Sequence, residues 1–449
     1  MFRKILVANR GEIALRIIRS AKEMGIKTVA IYSEADKESL HVQFADEAFC
    51  VGPPTQSKSY LNIPNIISSA IVSGTDAIHP GYGFLAENAE FAEVCSANGF
   101  KFIGPTKDVM ALLGDKAKAK KLMKEAGVPV IPGSPSTLCN LKEAMNFAKE
   151  VGYPVIVKAA QGGGGRGMRV AKTEADLKKA YDLARTEAEA TFDSAEVYLE
   201  KYVENPRHIE MQILVDEHGN GIYLGERECS LQRRHQKVLE ESPSVAVDDS
   251  LRKKMGEAAI KGALAAGYTN AGTIEFLLDR QGNFYFMEMN TRIQVEHPVT
   301  EMVTGLDLIK EQIKVAAGQP LSLQQEDVEI RGHAIECRIN AEDLSKDFRP
   351  TPGPIQGFLL PGGTGIRVDT AVYAGYDIPP YYDSLFAKLI VWGNDREEAI
   401  CRMRRALDEF IVEGISTTIP FHKKVLENEH FIKGDIDTAF IAKHILKDH

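Results

Sequence analysis

Two carboxylates and a carboxamide lie in a pair of apolar, strand-like segments. Glu275 lies in the run Thr-Ile-Glu-Phe-Leu, and Glu288 and Asn290 lie in Tyr-Phe-Met-Glu-Met-Asn. The turn-forming residues at 279–283 would make the segments antiparallel neighbours, so the three side chains can converge on one face. Buried carboxylates repel one another unless a cation lies between them, and Mg²⁺ prefers such oxygen ligands. We therefore expect a divalent metal here; a buried ion pair with an Arg or a Lys is the alternative.

The polar residues that follow could activate a small oxyanion. Asn290 opens the run Asn-Thr-Arg-Ile-Gln-Val-Glu-His-Pro, in which Arg292, Gln294 and Glu296 alternate. In an extended segment these three side chains would share one side. An arginine and an amide could then hold the anion while the carboxylate removes its proton. A solvated edge strand is the alternative, because Arg and Glu often alternate there.

A glycine-rich stretch offers a phosphate site. Gly162, Gly164 and Gly167 match G-x-G-x-x-G, but predicted strands flank them on both sides, which does not fit a Rossmann dinucleotide site. The backbone N–H groups of such a loop can close over phosphate oxygens, and Lys158 before it could add an ammonium. The alternatives are a mobile surface loop for the glycines and a solvated strand end for Lys158. No G-x-x-x-x-G-K-[ST] sequence occurs, so a P-loop is excluded.

The other charged candidates carry weaker signals. Lys116 is one of several lysines on a polar helix face, and the patch Gln232–Lys237 fits the anion-facing start of a strand better than a nucleic-acid contact. Lys and Arg number 54 against 63 Asp and Glu, a net charge of −9, which argues against a nucleic-acid-binding surface. His208, His235 and His297 lack the spacing and the cysteine partners of a zinc site.

The composition is that of a folded protein with several domains. The 449 residues are 44% hydrophobic and 26% charged, which is enough for about three domains of roughly 150 residues. The six cysteines are scattered without a C-x-x-C pair, which fits a reducing interior rather than a disulfide framework. The N-terminus lacks the apolar core of a signal peptide, and no apolar run is long enough to cross a bilayer. We therefore expect a cytoplasmic protein without nucleic-acid or membrane partners.

Hydrophobic periodicity predicts the elements that position these residues. In the first hundred or so residues, short apolar runs typical of strands alternate with segments whose apolar residues recur at helical spacing. This order indicates a doubly wound α/β domain. A lysine-rich helix over 116–125 ends near a domain boundary. From 155 to 199 the pattern predicts a small α+β unit around the glycine loop, and β-rich segments with a long helix follow. The C-terminal third is typical of mixed strands with Gly/Pro-rich loops and a helix near 397–409.

These motifs, in this order, resemble those of biotin carboxylases, the ATP-grasp components of biotin-dependent carboxylases. The resemblance covers nearly the whole chain, and the run from Glu288 to Glu301 is highly specific. The other matching stretches are 5–14, 79–85, the glycine loop, 232–237 and 381–384. The resemblance implies an α/β and α+β fold in three parts: a doubly wound pre-ATP-grasp domain at 1–113, an ATP-grasp domain at 114–330 with a mobile lid at about 132–203, and a mixed α+β C-terminal domain at 331–449.

The resemblance also implies a role for each matching residue. The residues implied to bind ATP are Lys116, Lys158, Gly164, Gly165, the four hinge residues Glu200, Lys201, Tyr202 and Val203, and His208, Gln232, His235, Glu275 and Glu288. Those implied to hold two Mg²⁺ or Mn²⁺ ions are Glu275, Glu288 and Asn290. Those implied to bind bicarbonate are Lys237, Arg292, Gln294 and Val295. Glu296 would be the general base and Arg338 would face the biotin ureido oxygen, so the implied catalytic residues are Glu296, Arg292, Arg338 and Lys237.

The activity implied by the resemblance is a ligase reaction, the carboxylation of biotin at N1′ with ATP and bicarbonate through carboxyphosphate. The chain contains no Ala-Met-Lys-Met biotinyl signature, so we expect the biotin on a separate carrier protein. Carboxyltransferase subunits would be further partners, and a homodimer is the family expectation. The favoured complex is acetyl-CoA carboxylase in fatty acid biosynthesis, in the cytoplasm or a plastid stroma; a two-subunit pyruvate or other acid carboxylase is the alternative.

Two further functions are disfavoured. A carbamoyl-phosphate-synthesising ATP-grasp enzyme also makes carboxyphosphate, but its large chain is usually duplicated and this chain has no internal repeat. A nonenzymatic nucleotide-binding regulator would be expected to lose one of the key residues, yet Glu275, Glu288, Arg292 and Glu296 are all present.

Overall fold

A computed structural model describes residues 1–134, 137–138, 140–159, 168–192 and 196–446. The predicted phosphate-loop residues Gly162, Gly164, Gly165 and Gly167 therefore lie outside the described residues. The chain divides into two compact units. The first contains Met1–Val128, Arg207–Phe276 and Glu288–His449, and the second contains Pro129–Pro206 and Leu277–Met287. Within the described ranges, no helix is long and apolar enough to cross a membrane.

The N-terminal part of the first unit is a parallel sheet with helices. Its strands are β1 (Lys4–Val7), β2 (Lys27–Ser33), β3 (Glu47–Gly52), β4 (Ala77–His79) and β5 (Lys101–Phe102). Its helices are α1 (Gly11–Glu23), α2 (Leu40–Phe44), α3 (Ile63–Ser73), α4 (Ala89–Ala97), α5 (Lys107–Gly114) and α6 (Lys116–Glu125). The strands run parallel in the order β3-β2-β1-β4-β5, which confirms the predicted doubly wound fold.

The apolar spacing of α1 explains why this helix forms and where it packs. Ile13, Ile17 and Ala21 are spaced three or four residues apart and are fully buried against Ile5 and Val7 of β1. Strand β1 is covered on both faces, which is why its sequence is a continuous apolar run rather than an alternating one. This packing fixes the turn between β1 and α1, which carries Asn-Arg-Gly-Glu.

The second unit is the predicted small α+β element. Its elements are α7 (Leu141–Val151), β6 (Val155–Ala159), β7 (Met168–Ala171), α8 (Glu174–Phe192) and β8 (Val197–Lys201). The strands form an antiparallel sheet in the order β7-β6-β8. Val155, Val157 and Leu199 pack against Leu177 and Tyr181 of α8, so the unit has a hydrophobic core of its own.

The remaining elements from residue 207 onward are built on one large sheet. The next elements are β9 (Arg207–Val215), β10 (Gly221–Arg233), β11 (Gln236–Ser242), α9 (Asp249–Ala265), β12 (Asn270–Leu278), β13 (Phe284–Asn290), α10 (His297–Thr304) and α11 (Leu308–Ala316). The last are β14 (His333–Asn340), β15 (Glu342–Asp343), β16 (Arg349–Pro350), β17 (Gly353–Pro354), β18 (Gly357–Leu359), β19 (Ile366–Thr370), β20 (Asp377–Ile378), β21 (Leu385–Gly393), α12 (Arg396–Glu409), β22 (Ile411–Glu413), α13 (Ile419–Glu427) and α14 (Glu429–Ile432).

Eight of these strands lie side by side in the order β13-β12-β9-β10-β11-β14-β21-β19. Strand β11 pairs antiparallel with β14, so strands from both sides of the predicted domain boundary at residue 330 belong to the same sheet. Strand β10 extends over 13 residues, and its apolar and charged residues are both buried in the middle of the sheet. The helix predicted near 397–409 is α12, and its buried residues pack on β21.

Candidate active site

The Lys237 side chain on β11 is surrounded by three buried carboxylates. Its Nζ lies 2.6 Å from Glu210 Oε2, 2.9 Å from Glu275 Oε1 and 2.7 Å from Glu296 Oε1. The lysine side chain is 13% exposed, and none of the three carboxylate side chains is exposed by more than 6%. A charge-assisted hydrogen bond to each carboxylate therefore holds the group together with little access to water.

The charges of this cluster reinforce one another. Burial alone would lower the pKa of Lys237, but Glu210, Glu296 and Glu275 outweigh burial and raise its pKa well above the ordinary value. Burial alone would raise the pKa of Glu296, but Lys237, Arg338 and Arg227 hold its pKa well below the ordinary value. Lys237 and Glu296 are therefore both ionised, and Glu296 is a weak base as long as these cations face it.

Arg338 on β14 joins Glu296 to another buried carboxyl group. Its Nε donates to Glu240 Oε1 at 2.7 Å, and a terminal nitrogen donates to Glu296 Oε2 at 2.9 Å. Within the described structure, Glu240 Oε2 is buried and has no hydrogen-bond partner. Burial, with the nearby charge of Glu296, raises the pKa of Glu240 to about 7 against the opposing effect of Arg338. Glu240 is therefore near the midpoint of its titration at neutral pH.

Arg227 is a fully buried cation that was not among the sequence-predicted residues. Arg227 lies opposite Glu210 in the register of β10 and β9. Its guanidinium donates to Glu210, Gln212, Thr273, Gln294 and Thr300 at 2.5–3.0 Å. The sequence signal was an Arg between two Glu in an otherwise apolar strand, which by itself does not distinguish a buried network from a surface. Glu210 and Glu240 were missed for the same reason.

The predicted metal ligands are brought together in part. Asn290 Nδ2 and Gln294 Nε2 donate to Glu275 Oε1 at 2.9 and 3.0 Å. Glu288 on the same strand as Asn290 is 41% exposed at its side chain, and its carboxylate lies 3.2 Å from Lys116 Nζ. The cation beside Glu275 is Lys237, as the ion-pair alternative predicts. The accessible Glu288 carboxylate and the Glu275 and Asn290 oxygens are nevertheless the donor types that fit Mg²⁺.

A second group of donor atoms lies beside this one. The ligand atoms of His208, Glu210 and Glu275 are all within 4.8 Å of one another, and all three residues are buried. His208 Nε2 lies 2.9 Å from Glu275 Oε2, while its Nδ1 contacts the Gln232 side-chain amide at 2.8 Å. Lys237 contacts both carboxylates of this group and Arg227 pairs with Glu210, so two buried cations already face these two negative charges.

The segment after β13 differs from its prediction. An extended segment with Arg292, Gln294 and Glu296 on one side is wrong, because β13 ends at Asn290 and the chain turns. The turn directs Arg292 to Glu87, with Nε donating at 2.9 Å, whereas Gln294 and Glu296 face the buried cluster. The solvated-edge alternative fails as well, since Gln294 and Glu296 are only 3% and 2% exposed. Buried polar side chains need partners, and the turn supplies them.

The basic patch at 232–237 is split between two environments. Strands β10 and β11 are joined by a tight turn at Arg234 and His235, both of which have positive φ angles and are exposed. Arg233 and Arg234 both form ion pairs with the single carboxylate of Asp347, so the protein itself partly neutralises two of the predicted anion-facing cations. Gln232 and Lys237, by contrast, are directed to His208 and the carboxylate cluster.

The remaining nucleotide candidates lie in the second unit. Lys158 on β6 forms an ion pair with Glu200 on the adjacent β8. Lys201 Nζ donates to the carbonyl oxygens of Gly152 and Tyr153 at 2.9 and 3.0 Å. The second unit also contains a cavity of about 290 Å³. Three of the four predicted hinge residues line it, namely Lys201, Tyr202 and Val203.

The raised pKa of Glu240 predicts a pH-dependent stability. The folded protein retains a proton up to about pH 7 that an ordinary Glu releases near 4.5, so this contribution is present at low pH and is lost as the pH rises through that window. Glu240→Gln imitates the protonated form and should remove on the order of 2 kcal/mol of this pH dependence. Urea unfolding at about pH 5.5 and about pH 7.5 measures the effect. The exposed-site control Glu257→Gln should keep the wild-type slope; an unchanged slope in Glu240→Gln would contradict the assignment.

Family models match this chain from its N-terminal part to its C-terminal part. Residues 1–110 match the model "Biotin carboxylase, N-terminal domain", residues 115–324 match "Carbamoyl-phosphate synthase L chain, ATP binding domain", and residues 336–443 match "Biotin carboxylase C-terminal domain". Biotin carboxylase 1 of Bacillus subtilis is 60% identical over 99% of both chains. A pyruvate carboxylase component from Methanothermobacter thermautotrophicus is 56% identical over 99% of this chain and 90% of its own length.

Solved structures agree with these matches. A biotin carboxylase–beta-gamma-ATP complex from Campylobacter jejuni is 53% identical, covers 99% of both chains and has a TM-score of 0.90. The biotin carboxylase domain dimer of Hydrogenobacter thermophilus 2-oxoglutarate carboxylase, in complex with MgADP, ADP and bicarbonate, is 51% identical with a TM-score of 0.88, over 99% of this chain and 98% of its own. The α/β and α+β fold with an ATP-grasp domain is thereby confirmed. The chain belongs to the biotin carboxylase family and is a ligase, the biotin carboxylase component of a biotin-dependent carboxylase.

Proposed function

We propose that this chain uses ATP and bicarbonate to carboxylate N1′ of biotin on a separate carrier protein. The observation that carries the proposal is Glu296, a buried carboxylate held between Lys237 and Arg338. Each of these cations can leave Glu296 for an anionic substrate group. The site then holds a base beside two anion-binding positions, as deprotonation of bicarbonate and stabilisation of a biotin enolate require. The bicarbonate and MgADP named for the Hydrogenobacter thermophilus structure support the same assignment.

In the first half of the proposed reaction, Lys237, Gln294 and the Val295 backbone hold bicarbonate together with Arg292, which exchanges its contact with Glu87 for the substrate. Glu296 removes the bicarbonate proton. In the free protein Lys237 and Arg338 keep the pKa of Glu296 low, so Glu296 binds protons poorly. When substrates attract these cations, burial is left as the dominant influence and the base becomes stronger. Substrate binding thereby activates Glu296, and the deprotonated bicarbonate attacks the γ-phosphate of ATP to give carboxyphosphate and ADP.

In the second half, carboxyphosphate releases CO₂ and phosphate, and the phosphate takes the N1′ proton of biotin. The resulting enolate captures CO₂ and forms carboxybiotin. Arg338 faces the ureido oxygen, where the negative charge develops, and its hydrogen bond to Glu240 orients the guanidinium. Arg338 therefore serves the second half of the reaction, and Glu296 serves the first.

We propose Glu275, Glu288 and Asn290 as ligands of two Mg²⁺ or Mn²⁺ ions. The donors are carboxylate and amide oxygens, and Glu288 is accessible at the end of β13. Bound metal would neutralise charge that develops on the phosphates. Lys116, Lys158, His208, Gln232, His235 and the hinge residues 200–203 are proposed to bind the nucleotide, with Gly164 and Gly165 closing over its phosphates.

The proposed domain boundaries are 1–113, 114–330 and 331–449, with a lid at about 132–203. The separate hydrophobic core of the second unit supports a lid that moves as one body. A homodimer is proposed as well, and a dimer is named for the Hydrogenobacter thermophilus structure. The free thiols of Cys50, Cys95, Cys229, Cys337 and Cys401 support a reducing compartment such as the cytoplasm.

We propose that a carboxyltransferase partner passes the carboxyl group from the carrier to acetyl-CoA. Pyruvate is the second candidate, because the Methanothermobacter thermautotrophicus relative is named as part of a pyruvate carboxylase.

The proposed function predicts an ATP cleavage that depends on bicarbonate and accelerates with biotin, because carboxyphosphate forms only from bicarbonate and is consumed by biotin. Steady-state ADP release, with and without bicarbonate and free biotin, measures this activity. Equal ADP release with and without biotin at saturating bicarbonate would contradict the carboxylase assignment.

The division of roles predicts different losses in two variants. Glu296→Ala should lose bicarbonate-dependent ATP cleavage by about 10²- to 10⁴-fold with nucleotide affinity close to wild type. Arg338→Gln should spare the slow biotin-independent ATP cleavage but suppress carboxybiotin formation. ADP release and ¹⁴C fixation into biotin are measured on both variants, with Arg252→Gln on α9 as the control. If Arg338→Gln abolishes the biotin-independent ATPase as completely as Glu296→Ala does, the division of roles is wrong.

The final acceptor of the carboxyl group can be tested by adding isolated carboxyltransferases. Carrier protein carboxylated by this chain should support carboxyl transfer to acetyl-CoA when the host's own acetyl-CoA carboxyltransferase is added, measured as ¹⁴C in malonyl-CoA. Transfer to pyruvate with the host's pyruvate transferase and none to acetyl-CoA would replace the first candidate with the second.

A further inference from the structure

We propose that Lys388 is a positioning residue that holds the bicarbonate-binding segment 291–296 in place through the backbone carbonyl of Val295. This inference rests on the proposed function, because it assigns a role within the bicarbonate site. Lys388 lies on β21 and was not among the sequence-predicted site residues. Its side chain is fully buried, and its Nζ donates to the Val295 carbonyl oxygen at 2.9 Å.

The surroundings of Lys388 fix its ammonium group firmly. Nζ lies 3.1 Å from Glu12 Oε1 and 4.0 Å from Asp369 Oδ2. Burial opposes the charge, but Glu12, Glu336 and Asp369 raise the pKa of Lys388, so it remains protonated. A buried ammonium group has no water molecules as hydrogen-bond acceptors, so its acceptors must be groups of the protein. The Val295 carbonyl is therefore a required partner rather than an incidental contact.

Lys388 also belongs to the same sheet as the biotin-facing arginine. In the strand register, Lys388 on β21 lies opposite Arg338 on β14 and opposite Asp369 on β19. Arg338 contacts the side chain of Glu296, and Lys388 contacts the backbone of the preceding residue. Two adjacent cations of one sheet therefore hold two adjacent residues of the segment.

The N-terminal motifs orient Lys388 from its other side. Glu12 is the second residue of α1, and it accepts a hydrogen bond from the Tyr82 hydroxyl. The Asn9 side-chain amide donates to the carbonyl oxygens of Pro80 and Tyr82 at 2.7 Å each. A Cβ at Gly81 would lie 2.9 Å from that amide nitrogen, and Gly81 has a φ of +63°, so this approach requires glycine. The motifs at 9–12 and 79–85 thus form a scaffold for Glu12.

The contact at Val295 can control the position of Glu296 because a peptide bond is planar. The Val295 carbonyl and the Cα of Glu296 lie in one plane, so fixing the carbonyl fixes the point at which the Glu296 side chain leaves the backbone. The segment is irregular in its backbone, and no strand in the described part of the chain pairs with it. The same segment carries the proposed bicarbonate contacts of Gln294 and Val295, so its displacement weakens bicarbonate binding as well as misplacing Glu296. A displacement of about 1 Å can cost on the order of a hundredfold.

The test uses a charge-compensated variant. Lys388→Met combined with Glu12→Gln removes the donor to Val295 and the paired charge together, and Asp369 keeps its bidentate partner Arg367. We expect the KM for bicarbonate to rise by about ten- to a hundredfold, with the KM for ATP and the affinity for ADP within about twofold of wild type. The assay is bicarbonate-dependent ADP release without biotin, with ADP binding measured by calorimetry.

A matched control separates positioning from a general loss of stability. Arg252 and Glu226 form another buried ion pair, between α9 and β10, with Nε–Oε2 at 2.7 Å. Arg252→Met with Glu226→Gln removes a comparable pair and should leave the KM for bicarbonate unchanged. An equal rise of this KM in both double variants, or a wild-type KM in the Lys388 variant, would overturn the proposal.

A second variant covers the case in which the double variant does not fold. Lys388→Arg keeps the charge beside Glu12 but cannot place a single donor nitrogen at the same point, so the KM for bicarbonate should rise while ADP affinity is retained. A wild-type KM in a folded Lys388→Arg protein would overturn the proposal. If wild-type protein shows no bicarbonate-dependent ATP cleavage at all, the proposed function fails instead, which is a distinguishable result.

Discussion

The site depends on the ion pairs between the ammonium group of Lys237 and the carboxylates around it. The ammonium group lies within 2.9 Å of three buried carboxylates, those of Glu210, Glu275 and Glu296. Without this cation the three like charges would face one another away from water, and removing one partner of a buried pair typically costs about 3–5 kcal/mol. The same cation holds the pKa of Glu296 low in the free protein, so in the proposed mechanism a substrate must attract Lys237 before Glu296 can act as a base. The contact between Lys237 and Glu296 thus both stabilises the cluster and restrains the proposed base.

The eight-stranded sheet explains how these groups meet. Glu210, Arg227, Lys237 and Arg338 lie on β9, β10, β11 and β14, which are consecutive neighbours in the sheet. Each of these strands contributes at least one charged residue to the cluster, and the register sets the spacing between them. Because β11 pairs directly with β14, Arg338 cannot shift independently of Lys237. The proposed ATP-grasp and C-terminal domains therefore share a single rigid scaffold at the point where both halves of the reaction need it.

The sequence predicted the secondary-structure elements, and the meeting of Glu296 with Lys237, better than the directions in which neighbouring side chains point. Apolar periodicity identified the doubly wound domain and the helix at 116–125 because both signals are local. The motif 288–301 identified the family, and Glu296 and Lys237 do lie together. The turn that separates Arg292 from Gln294 was missed because burial of neighbouring polar groups, not local pattern, decides it. Arg227 and Lys388 were missed because a charged residue in a strand is identified as buried only once its partners across the sheet are known.

The most direct test of this account is the titration of the Glu296 side chain in the free protein. Glutamate labelled with ¹³C at the side-chain carboxyl, with the Glu296 signal assigned by its absence in Glu296→Gln, reports the protonation state by NMR. The account predicts that Glu296 stays ionised throughout the range above its ordinary pKa of 4.5, and that Lys237→Met moves its midpoint upward. A wild-type midpoint at or above 4.5, or a midpoint unchanged by Lys237→Met, would contradict the claim that Lys237 restrains the base.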